Sequence, residues 1–283
     1  MKLCRFGNTG MEKPGLIDAN GQLRDLSSVI QVIEPATLSP QRLSKLASAD
    51  PSGLPLVPGN PRFGVPFEGT SKIVCIGLNY SDHAREAGLS VPSEPIIFLK
   101  STTALNGPND DVIKPRHSER LDWEVELGVV IGSKAQYVSK KQAPDFIAGY
   151  CVVNDVSERG FQMQSSQWDK GKSCDTFAPI GPWLVTPDEL PNPHNLDMWL
   201  DVNGLNMQRG NTNTMIFDIP TLISYCSQYM TLLPGDVIAT GTPPGVGMGK
   251  IPNPIWLQAG DTVTLGIASL GQQSQRITQW KQR

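Results

Sequence analysis

The chain has 283 residues, 39% of them hydrophobic, and a formal net charge of −3. At about 100–200 residues per domain this is one large domain or two, with enough apolar content for a core. The basic residues are scattered rather than clustered, which leaves no electrostatic footprint for a nucleic acid and points to a small-molecule partner. No run approaches the ~20 apolar residues that cross a bilayer, and the start MKLCRFGNTG lacks the apolar core of a signal peptide, so the expected location is the cytoplasm. The five cysteines, Cys4, Cys75, Cys151, Cys174 and Cys226, are odd in number, widely spaced and without a C-x-x-C pair, which argues against a disulfide framework and a thiolate zinc site.

In chain order, the pattern predicts a short strand at Lys2 to Phe6 and then a hairpin in which GLID and QLRDL flank the turn Ala19-Asn20-Gly21. Ser39 followed by Pro40 reads as a helix cap and first-turn proline, with Leu43 and Leu46 on one face. Pro55, Pro58, Pro61 and Pro66 with several glycines mark a linker, so we expect a small N-terminal unit with its linker over 1–65 and a larger domain over 66–283. The larger part is rich in short strands: KIVCIG, PIIFL, WEVELGVVI, IAGYCVV, LDMWLDV, DVIAT and TVTLGI. LDMWLDV runs into Asn203-Gly204, the pair favoured by a type I′ hairpin turn. Helical patterns are fewer, one after Asp155 and one from Asp218 with Ile219, Leu222, Ile223 and Cys226 on one face. Strands without regular βαβ alternation predict a β-rich α+β fold.

The stretch DWEVELGVVIG puts Glu124 and Glu126 two residues apart, on one face of an extended chain at roughly 6.6 Å separation, and Asp155 closes the run IAGYCVVND. Three carboxylates with no interleaved Lys or Arg fit a hard dication with oxygen ligands. The same alternation also fits the outward polar face of a half-buried strand. If Asp155 caps the following helix, Arg159 and Gln162 share its face and suit an anionic, oxygen-bearing substrate; a solvated helix face is the plainer reading. His83 and Glu86, in NYSDHAREAG, are neighbours at i and i+3 on a short helix ending at Gly88, as a water-activating pair or a surface ion pair. Lys172, in WDKGKSCD, falls in a stretch with little helical or strand character and is expected on a functional loop. Cys174 is not expected to be a nucleophile, and His117 and His194 read as loop residues without a role. The Gly-rich segment TGTPPGVGMGK is expected to cradle an anion through backbone N–H groups, but it lacks the P-loop's first glycine and its Ser or Thr.

Five blocks in order, IGLNYSDHAREAG, DWEVELGVVIG, GYCVVNDVSERGFQ, KGKSCDTFAPIGPWLVT and GDVIATGTPPGVG, resemble the fumarylacetoacetate hydrolase family over about residues 70–270. The N-terminal stretch resembles the leader of its bacterial 2,4-diketo-3-deoxy sugar-acid hydrolases and of proteins labelled ureidoglycolate lyase. The resemblance implies a compact β-roll catalytic domain, usually a homodimer, with one Mg²⁺ or Mn²⁺ per subunit. It maps metal ligation onto Glu124, Glu126 and Asp155, water activation onto His83 and Glu86 in a mobile lid, and substrate contacts onto Arg159, Gln162, Lys172 and Thr242. The activity implied is hydrolytic cleavage of a C–C bond in a 2,4-dioxo acid, with Lys172 stabilising the enolate. Oxaloacetate decarboxylation and ureidoglycolate cleavage are the rivals within the same site, and a catalytically silent metal-binding scaffold is the rival of another class.

Overall fold

The computed structural model describes residues 1–48 and 51–282 of the chain. Its frame is a ten-stranded sheet whose main path runs, in spatial order, Leu23–Asp25, Lys13–Ile17, Lys2–Phe6, Ala178–Val185, Ile147–Asn154, Val125–Ile131, Val237–Ala239, Ile73–Gly77 and Ile96–Lys100, with Leu105–Asn106 joined to Ala178–Val185. The two central strands, Val125–Ile131 and Ile147–Asn154, are buried at every position, which is why they read as apolar runs. A five-stranded sheet, in the order Leu205–Asn211, Asp197–Val202, Thr262–Ile267, Gly271–Gln279 and Val112–Lys114, packs against the first, and one apolar cluster joins both. The architecture is the β-rich α+β fold expected.

Local signals explain most elements. Asn203 (φ 52°) and Gly204 (φ 76°) make the left-handed turn between Asp197–Val202 and Leu205–Asn211. Helix α1 (Pro40–Ala47) starts at Ser39, whose side chain accepts from Arg42 N, and buries Leu43. Among the described residues, four further α-helices follow: α2 (Ser81–Glu86), α3 (Arg159–Gln162), α4 (Asp169–Lys172) and α5 (Ile219–Tyr229). Asp218 caps α5 through Thr221 N, and the face of Ile219, Leu222, Ile223 and Cys226 is buried. The N-terminal strands extend the large sheet, with Lys2 opposite Val185 and Leu3 opposite Leu184. Between Pro55 and Gly69 the chain is irregular and bridges back through Arg24–Leu56 and Phe6–Phe63. Among the described residues, no helix is long and apolar enough to cross a membrane.

Candidate active site

The central pair of strands brings the three acids together. Glu126 lies opposite Val153 and Asn154 opposite Val125, so Glu124, just before one strand, meets Asp155, just after its neighbour. The backbone closes this junction, Asp155 N donating to Glu124 O at 2.9 Å. One carboxylate oxygen from each of Glu124, Glu126 and Asp155 lies within 4.8 Å of the other two, and all three residues are buried. The outward polar face of a strand is thereby excluded for the pair.

Cations from other segments surround the acids, and of these Lys100 was not expected from the sequence. Lys172 Nζ donates to Glu124 Oε2 at 2.8 Å and to Asp155 Oδ2 at 2.7 Å, Arg159 donates to Glu124 Oε1 at 2.5 Å, and Lys100 Nζ donates to Asp155 Oδ1 at 2.5 Å. Glu126 differs. It accepts from Gly241 N at 2.9 Å, and among the described residues no cation lies within ion-pair distance of it. The two glutamates therefore diverge electrostatically. Burial opposes ionisation at Glu124, but Arg159 and Lys172 outweigh it and hold that carboxyl at about 2. At Glu126 burial, Asp155 and Glu124 all push the carboxyl well above its usual range. Burial works against the charged Lys172, and Asp155 and Glu124 overcome it, raising the ammonium's pKa. An all-oxygen donor set with one buried carboxylate left without a cation fits a hard dication, and Glu124, Glu126 and Asp155 are the residues that would hold it.

Two local expectations need correction. Asp155 does not cap a helix: its carboxylate is taken by Lys100 and Lys172, Ser157–Glu158 pairs with Leu121–Asp122, and Glu158 caps α3 through Gly160 N. Lys172 is not on a loop but ends the one-turn helix α4. Gly171 makes this possible, because a Cβ there would collide with Gln162 N and Glu158 O of the segment leading through α3. Arg159 and Gln162 do share a face, Arg159 Nη1 donating to Gln162 Oε1 at 3.0 Å.

The Gly-rich segment does hold anions, but they are the protein's own. Gly241 N binds Glu126, Gly245 N binds both oxygens of Glu86 at 3.0 and 3.1 Å, and Gly247 N and Met248 N bind Asp122 at 2.6 and 3.0 Å. Asp122 passes that order on, accepting from Arg159 Nε at 2.8 Å. Thr242 is buried beside this segment, its hydroxyl donating to Val125 O and accepting from Gln208 Nε2, each at 2.9 Å. Gln208 in turn accepts from Val125 N at 3.0 Å, so the backbone between the two glutamates is clamped on both sides.

Over the acids lies a cavity of about 340 Å³ lined by His83, Glu86, Glu124, Glu126, Arg159, Gln162, Lys172 and Thr242 among others. Asp155 is one layer deeper, with no exposed surface. His83 Nδ1 is 3.0 Å from Glu86 Oε2 on α2. Burial raises the Glu86 carboxyl, but the His83 and Gly245 hydrogen bonds prevail and lower it, so Glu86 is a carboxylate that can only accept. Nδ1 then carries the proton, which leaves Nε2 as the basic nitrogen. Cys174 is outside the cavity, and His194 Nε2 accepts from Ile219 N at 3.2 Å at the start of α5.

The family profile for the fumarylacetoacetate (FAA) hydrolase C-terminal domain matches residues 72–278. The chain belongs to the fumarylacetoacetate hydrolase family. It is 56% identical over 282 residues, covering 99% of this chain and 97% of the relative, to the 2,4-didehydro-3-deoxy-L-rhamnonate hydrolase of Sphingomonas sp. (strain SKA58). The fumarylacetoacetate hydrolase structure from psychrophilic Exiguobacterium antarcticum superposes with a TM-score of 0.87 at 31% identity, covering 99% of this chain and 100% of that one. Maleylpyruvate hydrolase from Sphingobium sp. SYK-6, solved with manganese(II) and pyruvate, gives 0.83 at 29% identity with the same coverage. As a fumarylacetoacetate hydrolase family member, the protein is an enzyme of the hydrolase type.

Sequence reasoning missed two residues of this family member's site. Lys100 ends the strand Ile96–Lys100, fully buried, and its one signal was a lone lysine closing an apolar run. Asp122 precedes the glutamate pair in DWEVE and appeared as one more strand-flanking acid. Both reach the site through partners far away in the chain, which spacing cannot show.

Proposed function

We propose that the protein is a cytoplasmic, divalent-metal-dependent hydrolase of 2,4-dioxo acids, which it splits between C3 and C4 to pyruvate or another 2-oxo acid and a second carboxylic acid. The observation that carries this reading is the meeting of a buried carboxylate triad and a His83–Glu86 pair at one cavity. Mg²⁺ or Mn²⁺ held by Glu124, Glu126 and Asp155 would supply Lewis acidity toward the substrate's 2-oxo acid end.

The chain's own groups account for the rest. Arg159 has N–H donors beyond those given to Asp122, Glu124 and Gln162, and with the Gln162 amide it anchors the substrate carboxylate. Thr242 walls the cavity next to the Gly241 N–H that holds Glu126. His83 Nε2 takes a proton from water as the water oxygen bonds to C4 and the π pair of the C4 carbonyl moves onto its oxygen, to return as that C=O when the next bond breaks. The C3–C4 bond breaks, its electron pair passes to C3 as the enolate of the 2-oxo acid, and a proton returns to C3. Lys172 directs two of its three N–H bonds at Glu124 and Asp155, and the third faces the developing enolate charge. The same reading carries a homodimer, and light scattering that finds a monomer at working concentration would count against it.

The test is release of a 2-oxo acid from acylpyruvates and 2,4-dioxo sugar acids, with oxaloacetate and ureidoglycolate run alongside. Turnover of the 2,4-dioxo acids should vanish with a chelator and return with Mn²⁺. Turnover of only oxaloacetate or ureidoglycolate, or of nothing, would overturn the reading.

A further inference from the structure

The cavity has a buried end and an open end of opposite chemistry. Glu124, Glu126, Arg159 and Lys172 form the buried end. The open end is lined by Leu89, Met163, Met248 and Ile251, which are 52%, 66%, 41% and 78% exposed. Single exposed apolar residues are ordinary, but these four come from three separate segments, after α2, just after α3 and at the end of the Gly-rich run, and meet at one opening.

Among the described residues, no Lys or Arg lines that opening. The two strong cations that line the cavity, Arg159 and Lys172, lie at its buried end, paired with Asp122, Glu124 and Asp155, and their remaining N–H donors serve the 2-oxo acid end. His83 faces Glu86. Lys250 points its Nζ at Met207 O, and neither it nor Arg85 lines the cavity.

We infer that the site selects 2,4-dioxo acids whose far end is uncharged and aliphatic, with Leu89, Met163, Met248 and Ile251 as the residues that determine this specificity. The inference rests on the 2,4-dioxo acid hydrolase reading of the buried end. A second carboxylate at the far end would lose hydration against four apolar side chains and find no counter-charge. An aliphatic end removes apolar surface from water on both partners. Discrimination among aliphatic ends of similar length is blunted, because the opening is exposed and its two flexible methionines accommodate a change of one methylene. The class of substrate is therefore set more sharply than its length.

A matched pair tests this: 2,4-dioxoheptanoate, which ends in a methyl group, against 2,4-dioxoheptanedioate, which ends in a carboxylate. With Mn²⁺ present, kcat/KM should favour the methyl-ended acid by at least about tenfold. Leu89→Arg and Met163→Arg, each at an exposed position on a different segment, should shift the preference toward the dioate by at least about tenfold, and ~1 M salt should erase much of that shift. Equal or reversed preference in the unmodified protein, or arginine variants that both fold and leave the ratio unchanged, would overturn the inference and leave the hydrolase reading standing. If neither acid is cleaved, the hydrolase reading fails and the inference fails with it.

Discussion

Glu124 and Glu86 line the same cavity from two different parts of the molecule. Glu124 adjoins a central strand and meets two buried cations, Arg159 at 2.5 Å and Lys172 at 2.8 Å. Glu86 is on a six-residue helix and meets one backbone N–H, that of Gly245, and the ring of His83. The floor is thus fixed by elements that cannot move without disturbing the core, while α2, the lid of the proposed mechanism, is joined to the Gly-rich segment through the bonds of Glu86 to Gly245 N. In the proposed mechanism, charge that must stay in place through the reaction is built into the sheet, and the proton-transfer pair sits on the element that would open.

The sharpest way to break the floor is to remove a carboxylate that no cation relieves. Glu126→Gln should weaken Mn²⁺ binding at least about a hundredfold, since even an outer partner of a metal site costs 10- to 100-fold, and activity should fall with it. Calorimetric titration decides it, and an unchanged affinity would show that the triad is only a salt-bridge cluster. Lys172→Met attacks the other side of the balance. It leaves Glu124 and Asp155 each short of a buried partner, for which about 3–5 kcal/mol of lost stability is the usual scale. That loss should show as a lowered Tm without metal and shrink when Mn²⁺ is added, because a dication restores charge balance at the same oxygens. A Tm deficit indifferent to Mn²⁺ would place Lys172 outside the metal's reach.

His83→Ala tests the lid alone. Hydrolysis should slow by about 10²- to 10⁴-fold, the usual worth of a positioned general base, with Mn²⁺ affinity and Tm nearly unchanged. Loss of metal binding along with activity would make His83 part of the floor's architecture instead.

How much of this was legible depended on whether the information was local. The Asn203-Gly204 turn, the caps at Ser39 and Asp218 and the Glu124/Glu126 pair each follow from a few adjacent residues and were readable. Glu124 and Asp155 meet because two strands pair in one register, and the residues between them, 125–154, gave no local clue to it beyond the block order. Lys100, whose partner is 55 residues on, and Asp122, held by a segment 125 residues on, were invisible for the same reason. The Gly-rich run shows a subtler limit. Its composition correctly signalled anion binding, but which anions, Glu126, Glu86 and Asp122, depends on the tertiary fold.

The smallest expected effect is in the pH dependence of the lid. The Glu86 carboxyl is held below its ordinary 4.5: burial opposes this, and the His83 hydrogen bond, the Gly245 N–H and the charge of Lys250 prevail. A depressed folded-state value means that the anchor stabilises the closed lid fully above about pH 4.5 and fades as pH falls through the lowered value. Glu124, fixed between two buried cations at about 2, keeps its charge to lower pH than a half-exposed carboxylate with one backbone N–H and an imidazole. On acidification the lid should therefore loosen before the floor. Hydrogen exchange between about pH 6 and pH 3 would show this as faster opening at the Gly245 amide and along α2, while amides of Val125–Ile131 stay protected. Glu86→Gln should exchange at Gly245 at the faster level throughout and lose most of the pH dependence, with Mn²⁺ affinity kept. If Gly245 and the central strand lose protection together, lid and floor are one cooperative unit, and the division between a fixed charge centre and a movable proton-transfer pair does not hold.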